Sequence, residues 1–210
     1  NSELISDNSY ALEQWVKRSV GSEMKFILND SIVSGTGVGM PLGYNKSPRV
    51  LRVTRTTANV IEAKDVLEMY SHRIPGVPLS EYEWHINQEC EKDLQMLTLG
   101  TGGSQLVVYT PPGGLSVAPY STLMGLRVRT MEYCEARGTP GDIALVRMKG
   151  MASISKGGIN EMASSHVAFL RDQEAIRFTT RVDARPMYDA PTLAYKGSNN
   201  FSYSDFVTLT

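Results

Sequence analysis

The sequence is poor in cysteine, in net charge, in histidine and in long apolar runs, and each shortage removes a class of protein. Cys90 and Cys134 are its two thiols and stand far apart, so no disulfide framework holds the chain and a reducing compartment is the simpler setting. Lys and Arg total 21 against 22 Asp and Glu, a formal net charge of -1. That balance lacks the basic excess of a dedicated nucleic-acid binder, yet it permits a surface that encloses nucleic acid. No apolar run reaches the length of a membrane span and no signal peptide opens the chain, so no membrane partner is expected. The first residue is Asn1 rather than Met, which reads as a fragment. His72, His85 and His166 are too scattered for a metal motif, and His85 with Glu89 and Cys90 lacks a second pair of ligands. Neither a metal nor a cofactor is expected.

What the sequence does contain begins with a long amphipathic segment over 7–34. Leu12, Val16, Val20, Met24, Leu28 and Ile32 recur at helical spacing, and Trp15 and Ile27 widen the stripe. Glu13, Gln14, Lys17, Arg18, Glu23 and Lys25 mix both signs on the other face, as suits a solvated or subunit-facing side. Gly21 weakens the middle by about 1 kcal/mol relative to alanine without ending the helix. At ~1.5 Å per residue the helix would be on the order of 40 Å long. A glycine-rich turn, Gly35-Thr36-Gly37-Val38-Gly39-Met40-Pro41-Leu42-Gly43, follows directly. In a dinucleotide or phosphate site the glycines follow a strand and open a helix; here they close one. Gly35, Gly37 and Gly39 are expected to turn the chain off the helix end with positive φ.

The remainder reads as mixed α and β. Thr56 or Thr57 is expected to cap a second helix with Val60, Ala63, Leu67 and Tyr70 on one face, ended by Ile74-Pro75-Gly76. Glu83 to Asn87 reads as a strand, and Gln88 to Leu97 as a helix that turns Cys90, Leu94 and Leu97 inward. Further strands are expected at Leu106–Tyr109, Leu126–Thr130 and Ile143–Val146, and one extended strand over Ala175–Ala184. Trp15, Phe26, Trp84 and Tyr120 are not interleaved with basic residues, so core packing fits them better than a nucleic-acid stacking platform. Gly114-Leu115-Ser116-Val117-Ala118 imitates a nucleophile elbow with His166 and Asp142 as nominal partners. Pro111, Pro112 and Pro119 deny it the sharp strand-to-helix turn that an elbow needs, and no catalytic residue is assigned.

In this order the pieces resemble the tailed-bacteriophage major capsid proteins, whose fold is named after phage Hong Kong ninety-seven. The long helix and its glycine turn are similar to that family's spine helix. Thr56 to Tyr70 is similar to its next helix, and Trp84-His85-Ile86-Asn87 to the strand before a Leu-rich helix. Leu123-Met124-Gly125-Leu126-Arg127-Val128 resembles its glycine-then-strand stretch, Phe169 to Ala184 its closing peripheral strands, and Ser204 to Leu209 its terminal strand. The resemblance implies an α+β phage capsid fold: a peripheral domain over 1–45 and 152–187 built on the spine helix, and an axial domain of mixed sheet flanked by helices over 46–151 and 188–210.

It also implies a structural protein rather than an enzyme, a homo-oligomer whose pentamers and hexamers tile an icosahedral head around double-stranded DNA. A scaffolding protein, a maturation protease and non-specific DNA contact are the implied partners; the virion, assembled in the host bacterial cytoplasm, is the implied location. Arg171, Arg177 and Arg181, with Glu13 and Lys17 on the spine helix, are the candidate subunit contacts, because rings of five and six must share one heterologous surface. The N-terminal arm and extended loop of family members do not stand in this sequence, so the fragment is expected to behave as a monomer or small oligomer. Some members carry a lysine–asparagine cross-link; Arg171-Asp172-Gln173 offers no asparagine, and none is expected here. An encapsulin-like compartment and an unrelated soluble α+β enzyme are the alternatives.

Overall fold

The computed structural model describes residues 2–99, 106–107, 122–168, 173–196 and 201–210. Helix α1 runs from Ser2–Ser34, 33 residues, or ~50 Å at the usual rise. The predicted stripe keeps its register: Val16, Val20, Met24, Leu28 and Ile32 are the less exposed side of the helix. They are only half-buried, however, and among the described side chains of α1 full burial arrives only at Ser31 and Val33. Trp15 and Phe26 are exposed, which corrects their assignment to the core, and Ile27, expected to widen the stripe, is exposed as well. The reason is length: the sheet domain reaches only the C-terminal end of α1, and the rest projects past it.

After α1 come the strands β1 (Leu51–Val53), β2 (Glu83–Ile86), β3 (Thr98–Leu99), β4 (Leu106–Val107), β5 (Thr122–Leu123), β6 (Leu126–Thr130) and β7 (Ile143–Val146). They are interleaved with α2 (Ala63–Ser71) and α3 (Glu91–Gln95). Strands β8 (Met151–Ser155), β9 (Asn160–Ala168), β10 (Gln173–Thr179), β11 (Val182–Pro186), β12 (Thr192–Leu193), β13 (Ser202–Tyr203) and β14 (Phe206–Leu209) complete the chain. One six-stranded sheet has the order β1-β14-β7-β2-β6-β5, with β1 parallel to β14 and β2 parallel to β6. Strand β14 therefore sits inside the sheet, beside β7 in antiparallel register.

Both faces of this sheet are covered, which is why Ile143-Ala144-Leu145-Val146 and Phe206-Val207-Thr208-Leu209 are buried at every position rather than at alternate ones. On one face Ile143, Leu145, Val207 and Leu209 pack with Trp84, Ile86 and the inner residues of α2 and α3. On the other, Ala144, Val146 and Phe206 meet Val33 and Tyr44 from the end of α1 and the turn after it. Tyr44 stacks on Phe206 with ring centroids 5.5 Å apart.

Two elements differ from expectation. Helix α2 starts at Ala63, not after Thr56: Glu62 caps it in a reciprocal box with Asp65, and the same Asp65 carboxylate accepts bonds from the Thr56 N–H and hydroxyl. That bond holds Thr56 in the loop before the helix, so the buried face is Ala63, Val66 and Met69, while Val60 and Leu67 are exposed. The single strand expected over Ala175–Ala184 is two. β10 pairs with β9 and β11 pairs with β8 in separate two-stranded ribbons, with Thr180 and Arg181 as the joint between them.

Candidate assembly surface

The turn after α1 positions the outer surface. The Gly35 N–H continues the helix to Ser31 O at 2.9 Å. The chain then doubles back so that the Tyr44 and Asn45 N–H groups donate to Ile32 O and Val33 O, closing the last carbonyls of the helix. Gly37 and Gly39 take φ of +78 and +70. Gly35 has no positive φ; it is required by space, since a Cβ there would lie 2.2 Å from Pro41 O and 2.3 Å from Ser31 O. Gly43, not singled out among the glycines above, is equally confined: its Cβ would lie 2.5 Å from Gly35 N. Leu42 N–H donates to Ala184 O at 2.8 Å, which ties the turn to β11.

Around α1 lie the two ribbons. Lys17 forms an ion pair with Glu161 of β9 at 3.1 Å, so this candidate is engaged within its own chain. Glu13 stands on α1 ahead of Gln14, where the described side chains begin, and Arg171 is outside the described residues. Arg177 and Arg181 are exposed and line one recess of 580 Å³ with Lys156. Ile154, Met162 and Ile176 are exposed on β8, β9 and β10. Met24, Ile27 and Leu28 of α1, with Met40, Pro41, Ile159 and Val182, bound a further groove of 430 Å³. A soluble monomer seldom leaves this much aliphatic surface uncovered on one side.

The sheet domain, by contrast, pairs its buried arginines with aspartates of its own. Buried Asp205 accepts from Arg49 Nη2 at 2.8 Å and from Arg147 Nη1 at 3.1 Å; Arg147 also pairs with Glu81, which binds Lys149. The Arg49 guanidinium reaches Ala190 O and Thr192 Oγ1, fastening the segment before β12 to the sheet. Asp142, nominally a triad member, is fully buried and pairs with Arg55 at 2.5 Å, while its partner His166 is exposed on β9. Ser116 lies outside the described residues, as does Tyr120. His85 spends both ring nitrogens, one on the Tyr44 hydroxyl at 3.0 Å and one on Glu83 at 3.1 Å. Its former companions are elsewhere engaged: Glu89 accepts from the Arg137 N–H, and Cys90 faces Asp142. Burial, then the Asp142 charge, pushes the Cys90 thiol up to about 12, and burial does the same to Cys134. Both stay free and protonated. Among the described residues no cluster of three metal-ligating side chains occurs, and no helix is long and apolar enough to cross a membrane.

This architecture, a long projecting helix on two ribbons beside a sheet closed on both faces, is that of capsid shell subunits. The capsid of an empty GTA particle shares it at a TM-score of 0.76 and 12% identity, over 99% of this chain and 68% of that one. The capsid of a native GTA particle gives 0.75 and 13%, with the same coverage. No curated protein sequence matches the chain. The model of the phage capsid family matches residues 1–197, and the chain belongs to that family. It is a structural shell protein, not an enzyme; it assembles into capsomer oligomers, and its place is the capsid of a phage-like particle.

Proposed function

We propose that this chain is the major capsid subunit of a tailed phage or prophage, closing as pentamers and hexamers into an icosahedral head around double-stranded DNA. The observation that carries the reading is the surface beside the sheet domain: the sheet domain pairs its buried arginines with aspartates, while the helix and ribbons leave Trp15, Ile27, Ile154, Met162 and Ile176 exposed. In this reading 1–45 and 152–187 form the peripheral domain and 46–151 and 188–210 the axial one; every strand of the six-stranded sheet falls in the latter set. Assembly takes place in the host bacterial cytoplasm, with a separate scaffolding protein and a maturation protease as partners and with weak, sequence-independent DNA contact.

Arg171, Arg177, Arg181, Glu13 and Lys17 are proposed at the subunit boundary. Reversing Arg177 and Arg181 to Glu leaves the subunit folded by circular dichroism and abolishes capsomers in size-exclusion chromatography; unchanged assembly removes these two residues from the boundary. Electron microscopy of the full-length gene product, expressed with its genomic neighbours, tests the whole reading. DNA-filled icosahedral shells are expected. Small shells around a protein cargo would replace it with an encapsulin-like compartment, and an absence of particles would overturn it.

A further inference from the structure

We infer that the recess between the two ribbons is an oxyanion site for phosphate. Its lining is Lys156, Asn160, Arg177, Thr179, Thr180 and Arg181: three cations, three neutral hydrogen-bonding side chains and no carboxylate. The backbone forces these cations together. Lys156 N–H donates to Arg181 O at 2.9 Å where β8 and β11 end, and Asn160 opposite Thr179 sets the start of the neighbouring ribbon. Like charges gathered in this way repel, and nothing described in the chain neutralises them. Lys156 and Arg181 form no ion pair among the described residues, Arg177 donates only to the neutral thioether of Met162 at 3.1 Å, and the adjacent Glu161 turns away to Lys17.

The sheet domain pairs its buried arginines, Arg49 and Arg55, with aspartates. The lining of the recess supplies three positive charges and no counter-charge. A single carboxylate would leave two of them uncompensated, whereas a phosphate dianion compensates two, and consecutive phosphates of a polynucleotide all three, while accepting from guanidinium, ammonium, hydroxyl and amide donors together. The ligand chemistry is therefore phosphate, either free or in a nucleic-acid backbone. The inference adds a ligand to residues proposed above as subunit contacts, and it concerns a single chain, so it stands or falls separately from assembly.

Isothermal titration of the purified protein with pyrophosphate, and in parallel with a short DNA oligonucleotide, tests it. Arg177→Gln with Arg181→Gln should weaken binding by about tenfold or more with the thermal midpoint unchanged. Arg18→Gln with Lys25→Gln removes equal charge from α1 and should leave binding intact. Loss with both probes places a nucleic-acid backbone in the recess, and loss with pyrophosphate alone places free phosphate there. No binding by the wild type, or equal loss in the α1 variant, overturns the inference.

Discussion

At the scale of single residues, glycines that look alike in the sequence act through different physics. Gly35→Ala drives a Cβ into two carbonyl oxygens that cannot move without opening the turn, whereas Gly39→Ala meets open space and bears only the strain of φ +70. The first should cost roughly 3 kcal/mol or more and the second about 1, read as shifts of the urea midpoint at constant slope. Equal costs would mean that conformation, not space, selects both. Glu83 gives a pH signature. Its bond to His85, then that to Arg129, holds the carboxyl down from the ordinary 4.5 to about 2. A carboxylate with a depressed pKa adds stability that is complete above its unfolded value and is lost as the pH falls through the folded one. Stability should therefore fall between pH 4.5 and about 2, and Glu83→Gln should flatten that fall in acid-denaturation curves. The substitution should also loosen His85, whose other nitrogen meets the Tyr44 hydroxyl.

At the scale of elements, what could be read from the sequence was what periodicity governs. The apolar repeat of α1, the strand Glu83–Ile86 and the inward Cys90, Leu94 and Leu97 all depend on neighbours in sequence, and all are present. The start of α2 could not be read from local preference, because the Thr56 hydroxyl that would cap a helix is held by Asp65, nine positions on. The break at Thr180 and Arg181 was equally hidden, since β10 and β11 are separated by their partners β9 and β8 rather than by any turn residue. Trp15 and Phe26 read as core because no basic residues are interleaved with them, and that signal is the same whether the covering surface comes from the same chain or from another, so it misplaces both. The fastening of the segment before β12 was also invisible: Arg49, Asp205 and Arg147 are scattered in sequence and meet only through the sheet. Asp205→Asn keeps the shape but leaves the Arg49 charge buried without its counter-ion. It should destabilise the fold by about 3–5 kcal/mol in chemical denaturation. A loss below 1 kcal/mol would mean that the carbonyl of Ala190 and Thr192 suffice to hold that guanidinium.

At the scale of the whole molecule, the two tryptophans report on different regions. Trp84 is fully buried and gives its indole N–H to Leu123 O at 3.0 Å, while Trp15 is 65% exposed on the projecting part of α1. On assembly of the full-length protein, emission should shift to shorter wavelength, and Trp15→Phe should abolish the shift; a shift that survives the substitution would place the buried contact elsewhere. The parallel pairing of Leu51 with Val207, and the position of β14 between β1 and β7, also bear on synthesis. A nascent chain that has already released α1, both ribbons and most of the sheet still lacks an inner strand, so its hydrophobic layers cannot close until Phe206–Leu209 clears the ribosome. Chains truncated before that strand should not reach the folded state, which keeps incomplete translation products from entering a growing shell.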